Sequence, residues 1–337
     1  MIQLAHKKAL LFSLFFSLLF VVALPAQTIK GYVYDKETLE PMQGVTIYFD
    51  GTSIGTVSNI EGYFELTTKT KVTATLIVSY IGYYSEHIDD PYKAKIFKVY
   101  LSEKSFDLEE VVLQADPFSR EAKLAVFKRE FLGEGYEGVC EIKNVDAVTV
   151  TFNMKSSKLL AYASQPLKII NKDLGYEITY NLVKFEATYT QNTLYRSYLK
   201  GVFYSGSSFF LDTSKGAGKY ARRRKKLYYG SVLHFIRSLA SETLTEQKFG
   251  MFKNRFQVNP KDYFTVKDSL NIKFISTTQP KWDILYKKDK QSALEVDKSG
   301  FFVDTYGNFT PSNALVFGGY IGRMRFKETL PLDYRPK

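Results

Sequence analysis

The stretch GTSIGTVSNIEGYFEL, residues 51–66, decides the fold. It sets three glycines at uneven spacing among polar residues and ends in an alternating apolar run. A phosphate-cradling loop needs a strand before it, a helix N-terminus after it and a Lys-Ser/Thr pair, because free helical N–H groups hold the anion. Gly62 instead leads into Tyr63, Phe64, Glu65 and Leu66, a strand pattern. Gly51 and Gly55 bracket a short hairpin, and Asn59 to Gly62 reads as a turn built from residues that tolerate unusual backbone angles. The glycines are turn chemistry in a small β-domain.

Outward from that stretch the pattern repeats. IKGYVYD (29–35) puts Ile29, Gly31 and Val33 on one side of a strand and Lys30, Tyr32 and Tyr34 on the other. GVTIYFD (44–50), VTATLIVSY (72–80), YYSEHI (83–88) and KIFKVYL (95–101) follow in close succession. Short strands with turn residues every 8 to 12 positions describe a β-sandwich of roughly seven strands over residues 28–104.

The ordered set GYVYD, EPMQGVTIYFDGTSIGTVSNIEGYFEL and LIVSYIGYYSEHI resembles the carboxypeptidase-like regulatory domain, a transthyretin-like, Ig-like sandwich of Bacteroidetes envelope proteins. The resemblance runs through Gly31, Val33, Asp35, Pro41, Gly44, Val45, Gly51, Gly55, Thr56, Gly62, Phe64, Ser79, Tyr80, Gly82 and Tyr83. Ser58 and Asn59 stand where the family usually has Thr-Asp, which keeps the turn and removes a carboxylate. The family name does not imply a peptidase here. A zinc carboxypeptidase needs two imidazoles and a carboxylate on its metal plus a catalytic acid-base group. The chain has only His6, His87 and His234, and His87 reads as a surface strand histidine.

Before the sandwich, Lys7 and Lys8 precede an apolar run from Ala9 to Leu24 and then Pro25, Ala26 and Gln27. This is the pattern of a secretory signal peptide over residues 1–26, cleaved after Ala26 or Gln27. An uncleaved anchor is the alternative, with a run of about 16 residues, broken only by Ser13 and Ser17, against the 20 of a typical span. The chain is expected to be exported, to the periplasm or the outer membrane. The formal charge of +11 falls to +9 without Lys7 and Lys8. That excess suits acidic envelope surfaces, lipid head groups or anionic glycans, and it also suits plain solubility. Cys140 is the only cysteine, so no internal disulfide is available and the domains must rest on packing. An outer-membrane barrel gives only weak sequence signals, but the terminal LPLDYRPK lacks a closing aromatic strand.

After the sandwich, SFDLEEVVLQADPF (105–118) resembles the segment following this domain in TonB-dependent transporters, although too little chain remains for their plug and barrel. A last edge strand is the plainer reading. Asp116 as N-cap and Pro117 at the first helical position predict an amphipathic helix over 117–132, with Leu124, Phe127 and Phe131 on one face and Gly133 as its stop. Residues 105–133 are thus a connector plus helix.

Residues 138–337 read as a β-rich α+β domain with a few helices. VTVTFNM (148–154), LLAYA (159–163), PLKIIN (166–171), GYEITYNLVKFEATYT (175–190) and YRSYLKGVFYS (195–205) alternate with period two. Ile178, Tyr180, Leu182 and Phe185 are expected on one face. Residues 231–241 predict a helix through Val232, Phe235, Ile236 and Leu239, with Ser231 as N-cap. Before it stand Arg222, Arg223, Arg224, Lys225 and Lys226, read as a solvated basic face or an envelope-polyanion contact. FFVDTYGNF (301–309) predicts a hairpin turning at Tyr306, Gly307 and Asn308. FKREFLG (127–133), PLKIINKDLGYEITYNLVKF (166–185), YYGSVLHFIRSL (228–239) and LPLDY (330–334) resemble a recurring companion of the regulatory domain, one to which no catalytic residues attach.

GTSIG (51–55) has the G-x-S-x-G spacing and GEGYEG (133–138) the G-x-G-x-x-G spacing, but the first leads into a strand pattern and the second follows a predicted helix. Neither is therefore a nucleophile elbow or a dinucleotide fingerprint, and the chain carries no H-E-x-x-H or Walker loop. The leading expectation is a mainly β, non-enzymatic envelope protein without metal or cofactor, an interaction or accessory module at the outer membrane. Its expected partners are envelope proteins, with glycans or lipid head groups as further ligands and no nucleic acid. The candidate binding cluster is Arg222, Arg223, Arg224, Tyr229, His234 and Arg237. A carbohydrate-binding protein, stacking sugars on its many Tyr and Phe, is one alternative. A hydrolase using His234 is another, and it requires a cleft holding His234 with a nearby acid.

Overall fold

A computed structural model describes residues 27–68, 71–104, 116–269 and 272–336. The signal-peptide reading of residues 1–26 and most of the 105–118 connector lie outside the described residues. The molecule is mainly β. Seven strands build the N-terminal sandwich: β1 (Gln27–Asp35), β2 (Thr46–Phe49), β3 (Gly55–Val57), β4 (Tyr63–Thr68), β5 (Leu76–Ser79), β6 (Glu86–Ile88) and β7 (Phe97–Leu101). One sheet runs β4-β1-β7, with β1 antiparallel to β4 and parallel to β7, and the other runs β3-β2-β5-β6. The alternation of β1 sets its burial: Ile29 and Val33 face the core while Lys30, Tyr32 and Tyr34 face outward. Phe49, Phe64, Leu76 and Val78 complete the layer between the sheets. Each such side chain contributes about 1.5–3 kcal/mol of burial, which is how a sandwich without disulfides holds.

The opening stretch forms the turns its composition predicts. Asn59 Oδ1 accepts from the backbone N–H groups of Glu61 and Tyr63, and Gly62 sits at φ +72°, where an L side chain is strained. The same stretch also does something the sequence did not disclose: it docks the sandwich onto the rest of the chain.

The remaining strands surround two further hydrophobic cores rather than one. The first belongs to β8 (Cys140–Ile142), β9 (Val148–Asn153), β10 (Lys158–Ala163), β11 (Leu167–Asn171), β12 (Tyr176–Tyr189) and β13 (Leu199–Asp212). The long β12 pairs with β13 along one edge and with β11 and then β10 along the other. A bulge at Val183, between Leu182 and Lys184, shifts the register by one residue. Phe185 therefore returns to the buried face of Ile178, Tyr180 and Leu182 despite its odd spacing. The last expected strand begins later and ends later than 195–205, because Arg196–Tyr198 is a 3-10 turn and β13 continues to Asp212.

Helix α1 (Arg120–Leu132) covers this sheet, its Phe127 and Phe131 rings meeting Phe185 edge-on at 4.9 and 6.5 Å. Its start corrects the expected Asp116–Pro117 cap. Ser119 is the N-cap, accepting from the Ala122 N–H, while the Asp116 carboxylate is drawn to Lys123 Nζ at 2.5 Å and to the Phe118 and Phe152 N–H groups. An ion pair with Lys123 in the first turn of α1 and a strand N–H outcompete the expected cap.

Helix α2 (Gly218–Tyr228) and helix α3 (Val232–Ala240) follow. Ser231 caps α3 as expected, accepting from the His234 N–H at 3.2 Å. The third core packs α3 against β14 (Phe249–Lys253), β15 (Phe256–Val258), β16 (Phe264–Ser269), β17 (Ile272–Thr277), β18 (Lys281–Tyr286), β19 (Lys290–Val296), β20 (Phe301–Asp304), β21 (Phe309–Thr310) and β22 (Leu315–Gly318), with the short α4 (Gly319–Gly322) closing it. These form two sheets, β15-β14-β18-β19-β22 and β16-β17-β20-β21. The expected hairpin at 306–308 is present, its turn held by Asp304 Oδ1 accepting from Tyr306 and Asn308 N–H groups.

The sandwich and the six-stranded sheet are stitched by main chain. Gly51 N–H donates to Ser208 O at 2.8 Å, Phe210 N–H donates to Thr52 O at 3.0 Å, and Leu332 N–H donates to Gly51 O at 2.7 Å. Gly55 faces the Phe209 ring so closely that a Cβ would lie 2.7 Å from it. Among the described residues no helix is long and apolar enough to cross a membrane.

Candidate functional site

The six residues of the candidate cluster lie on or beside α2 and α3, and the structure divides them into two kinds. On α2, Tyr220, Arg224 and Tyr228 recur every fourth residue, so Arg224 points inward with the tyrosines. Its guanidinium forks onto Asp212 at 2.7 and 3.0 Å, donates to the carbonyls of Leu174 and Gly175, and lies 3.8 Å over the Tyr176 ring. Arg224 holds the Asp212 carboxyl far below the usual carboxylate range. This bidentate, stacked arginine ties α2 to the β11–β12 turn.

His234 is 2% exposed. Its Nδ1 accepts from the Gly230 N–H at 3.1 Å, which leaves Nε2 to donate to Gln247 Oε1 at 3.0 Å. The rings of Tyr228, Tyr229, Phe249 and Tyr286 enclose it at centroid distances of 5.0 to 5.7 Å. Burial pushes its pKa down, helped by Arg237. Among the described residues both ring nitrogens are taken by a backbone N–H and an amide oxygen, in place of the nearby acid that the hydrolase reading of His234 requires. Its work is to satisfy the tight turn between the helices, with Tyr229 packed edge-on against it.

Arg237 is equally structural. It donates to three carbonyls, those of Tyr306, Leu332 and Tyr334, at 3.0, 2.6 and 2.8 Å. It thereby pins the 301–310 hairpin and the C-terminal segment to α3.

Arg222 and Arg223 remain outside. Arg223 pairs with Asp173 at 2.9 Å, both half exposed, and Arg222 makes no ion pair among the described residues. Beside Arg223 opens a groove of about 410 Å³, lined by Arg223, Lys226, Lys290, Lys327, Asp173 and Glu328 with Tyr320 at its wall. Four cations face two carboxylates. Lys290 Nζ lies 4.5 Å from the Tyr320 ring centroid, Lys327 donates to the Glu134 carbonyl, and Lys226 has no ion pair among the described residues. The net positive groove suits an anionic group, while Arg223 and Lys327 are each partly occupied by their neighbours.

Sequence reasoning missed Lys290, Tyr320 and Lys327 because β19, α4 and the C-terminal segment bring them to α2 from between about 60 and 100 residues away. It had the means to separate Arg224 from its neighbours, since the Tyr-Arg-Tyr spacing of 220, 224 and 228 is helical. His87 is exposed on β6, and among the described residues no three His, Cys, Asp or Glu side chains are grouped to hold a metal. Burial pushes the Cys140 thiol up to about 12, so this lone cysteine packs as an apolar side chain.

Residues 29–113 match the family model described as CarboxypepD_reg-like domain. No curated protein matches the chain. Among solved structures, a type II cohesin–X-dockerin complex from Acetivibrio cellulolyticus aligns at 19% identity over 23% of this chain and 52% of that chain, with a TM-score of 0.18. A 9R-lipoxygenase from Cyanothece PCC8801 aligns at 9% identity over 66% of this chain and 49% of that chain, with a TM-score of 0.19. The chain thus spans about half the length of each, and likeness at this level carries no argument about fold or activity.

Proposed function

We propose, from the premise that the N-terminal sandwich is a CarboxypepD_reg-like domain, that this chain is a non-enzymatic accessory protein of the cell envelope. The sandwich serves as its interaction module, and the groove beside α2 engages an acidic group of an envelope lipid or polymer. Export rests on the basic and apolar pattern of residues 1–26. The observation that carries the ligand reading is the groove itself, where Lys226 and Lys290 have no carboxylate partner among the described residues, beside the pairs Arg223–Asp173 and Lys327–Glu328. An anion entering there meets Lys226 and Lys290, and Lys290 has only its contacts with the Tyr320 and Tyr286 rings to give up. The cations Arg224 and Arg237 and the imidazole of His234 belong to the scaffold beneath it.

The test is cosedimentation of residues 27–337 with phosphatidylglycerol vesicles, beside retention on dextran sulfate and competition by inorganic phosphate. Binding should weaken as salt rises from 0.05 to 0.5 M, approximate bounds chosen to shorten the screening length severalfold, and should be lost in K226E/K290E. Vesicle binding alone identifies a lipid surface, and retention on dextran sulfate alone identifies a soluble polyanion. Binding that the double substitution leaves unchanged overturns the assignment of the groove.

A further inference from the structure

The outer face of the β4-β1-β7 sheet carries four tyrosines in one continuous strip. Tyr63 and Tyr32 are directly paired across β4 and β1, and Tyr34 and Tyr100 are paired across β1 and β7. Tyr32 and Tyr34 are two apart on β1 and so share its outward side. Successive ring centroids along Tyr63, Tyr32, Tyr34 and Tyr100 lie 5.3, 6.3 and 5.6 Å apart. The planes of Tyr32 and Tyr34 differ by 21°, and those of Tyr34 and Tyr100 by 26°. None of the four rings enters the sandwich core, and Tyr100 is 42% exposed.

Cross-strand aromatic pairs by themselves stabilise a sheet. Two isolated pairs would suffice for that. Here the Tyr32–Tyr34 contact joins the pairs, so the strip crosses all three strands. Its rings are tipped with hydroxyls, of which only that of Tyr63 is bound, donating to Glu65 at 2.8 Å. The hydroxyls of Tyr32, Tyr34 and Tyr100 hydrogen-bond to no other described residue. The Lys30–Glu65 ion pair, at 3.3 Å, and Lys98 flank the strip with charges of both signs.

We propose that this face binds a neutral glycan chain. A pyranose ring offers flat C–H faces of about the width of one aromatic ring and a rim of hydroxyls, and a chain of them repeats at a spacing comparable to that of the tyrosines. The rings supply the stacking surface, while the tyrosine hydroxyls, Lys30, Glu65 and Lys98 hydrogen-bond the rim. The outward positions of the strip carry no Leu, Ile or Phe, which disfavours an apolar lipid or protein anchor. The mixed flanking charges disfavour a polyanion. The assignment is independent of the cationic groove, because no residue is shared.

Affinity electrophoresis of residues 27–337 through gels containing laminarin, xylan, mannan, dextran or hydroxyethyl cellulose tests it. At least one neutral polymer should retard the wild-type protein. Y32A/Y34A should weaken that retardation roughly a hundredfold, about tenfold for each stacking ring removed. Y100T, which keeps a strand-forming residue at an exposed position, should weaken it roughly tenfold with unchanged thermal unfolding, so the test survives if the double variant fails to fold. K226E/K290E should leave the retardation intact. Absence of retardation by every polymer overturns the proposal, as does retardation that folded Y100T retains in full.

Discussion

The hydroxyl of Tyr48, at the centre of the sandwich's four-stranded sheet, lies 3.1 Å from the hydroxyl of Ser207 on β13, and Asn181 Nδ2 donates to both, at 2.9 and 3.2 Å. Three side chains from two domains satisfy one another in a buried seam, and burial pushes the Tyr48 phenol up to about 12. Asn181→Ala leaves two buried hydroxyls short of a donor and is expected to cost about 1–3 kcal/mol. Hydrogen exchange should accelerate first at the Gly51 and Phe210 amides, which bridge the same seam. Unchanged protection there would show that the main-chain stitches hold without the polar cluster.

The arginines of α2 should respond very differently to removal. Arg224→Ala deletes a fork onto Asp212, two carbonyl partners and the stack on Tyr176. Because the Asp212 side chain is 47% exposed and regains water, the expected loss is about 2–3 kcal/mol rather than the larger cost of a stranded buried charge. Arg222→Ala should stay within about 0.5 kcal/mol of wild type. Equal thermal shifts for the two would refute the division between scaffold and surface cations.

His234 predicts a pH dependence. Its folded pKa lies below the ordinary 6.5, so its contribution to stability is complete above that value and is lost as pH falls through the folded pKa. A melting-temperature profile should decline on acidification below pH 6.5, and His234→Gln should flatten that part of the curve. A profile that the substitution leaves unchanged would place the decline elsewhere.

Asp50 has the opposite sign. Burial raises its pKa while Oδ1 accepts from the Ser208 N–H at 2.7 Å. Its protonated form is favoured in the fold, so stability is greatest below the ordinary value of 3.8 and is lost as pH rises through the folded pKa. Asp50→Asn keeps an oxygen acceptor for Ser208 and removes the buried charge. It should raise the melting temperature at neutral pH, an outcome differential scanning calorimetry can check directly.

The sandwich was legible because its information is local. Alternation fixed the inward set Ile29 and Val33, and the Asn59–Gly62 turn followed from residues within four positions of each other. Ser231 and the apolar spacing of 232–239 likewise disclosed α3. What stayed hidden depends on distant partners. The cap of α1 moved because Lys123 and Phe152 claimed Asp116, and Phe185 turned inward only through a bulge set by its pairing with β13. The run of five cations looked uniform in sequence, yet Asp212 and Tyr176 draw one of them into the interior. The division of residues 138–337 between two cores left no composition change to read.

The 51–53 loop has a second partner near the far end of the chain. Ser53 bonds to the Asp333 carboxylate through both its amide and its hydroxyl, at 2.8 and 2.5 Å, beside the Leu332 contact to Gly51. The sandwich can acquire its core from neighbouring strands as soon as they are free to pair, but this clasp spans 280 residues. Contacts of such separation form late, because the loop they close must first be ordered. The clasp is therefore expected to close after the module it grips has folded, and a chain truncated before Leu332 would hold that module by its contacts to β13 and Asn181 without it.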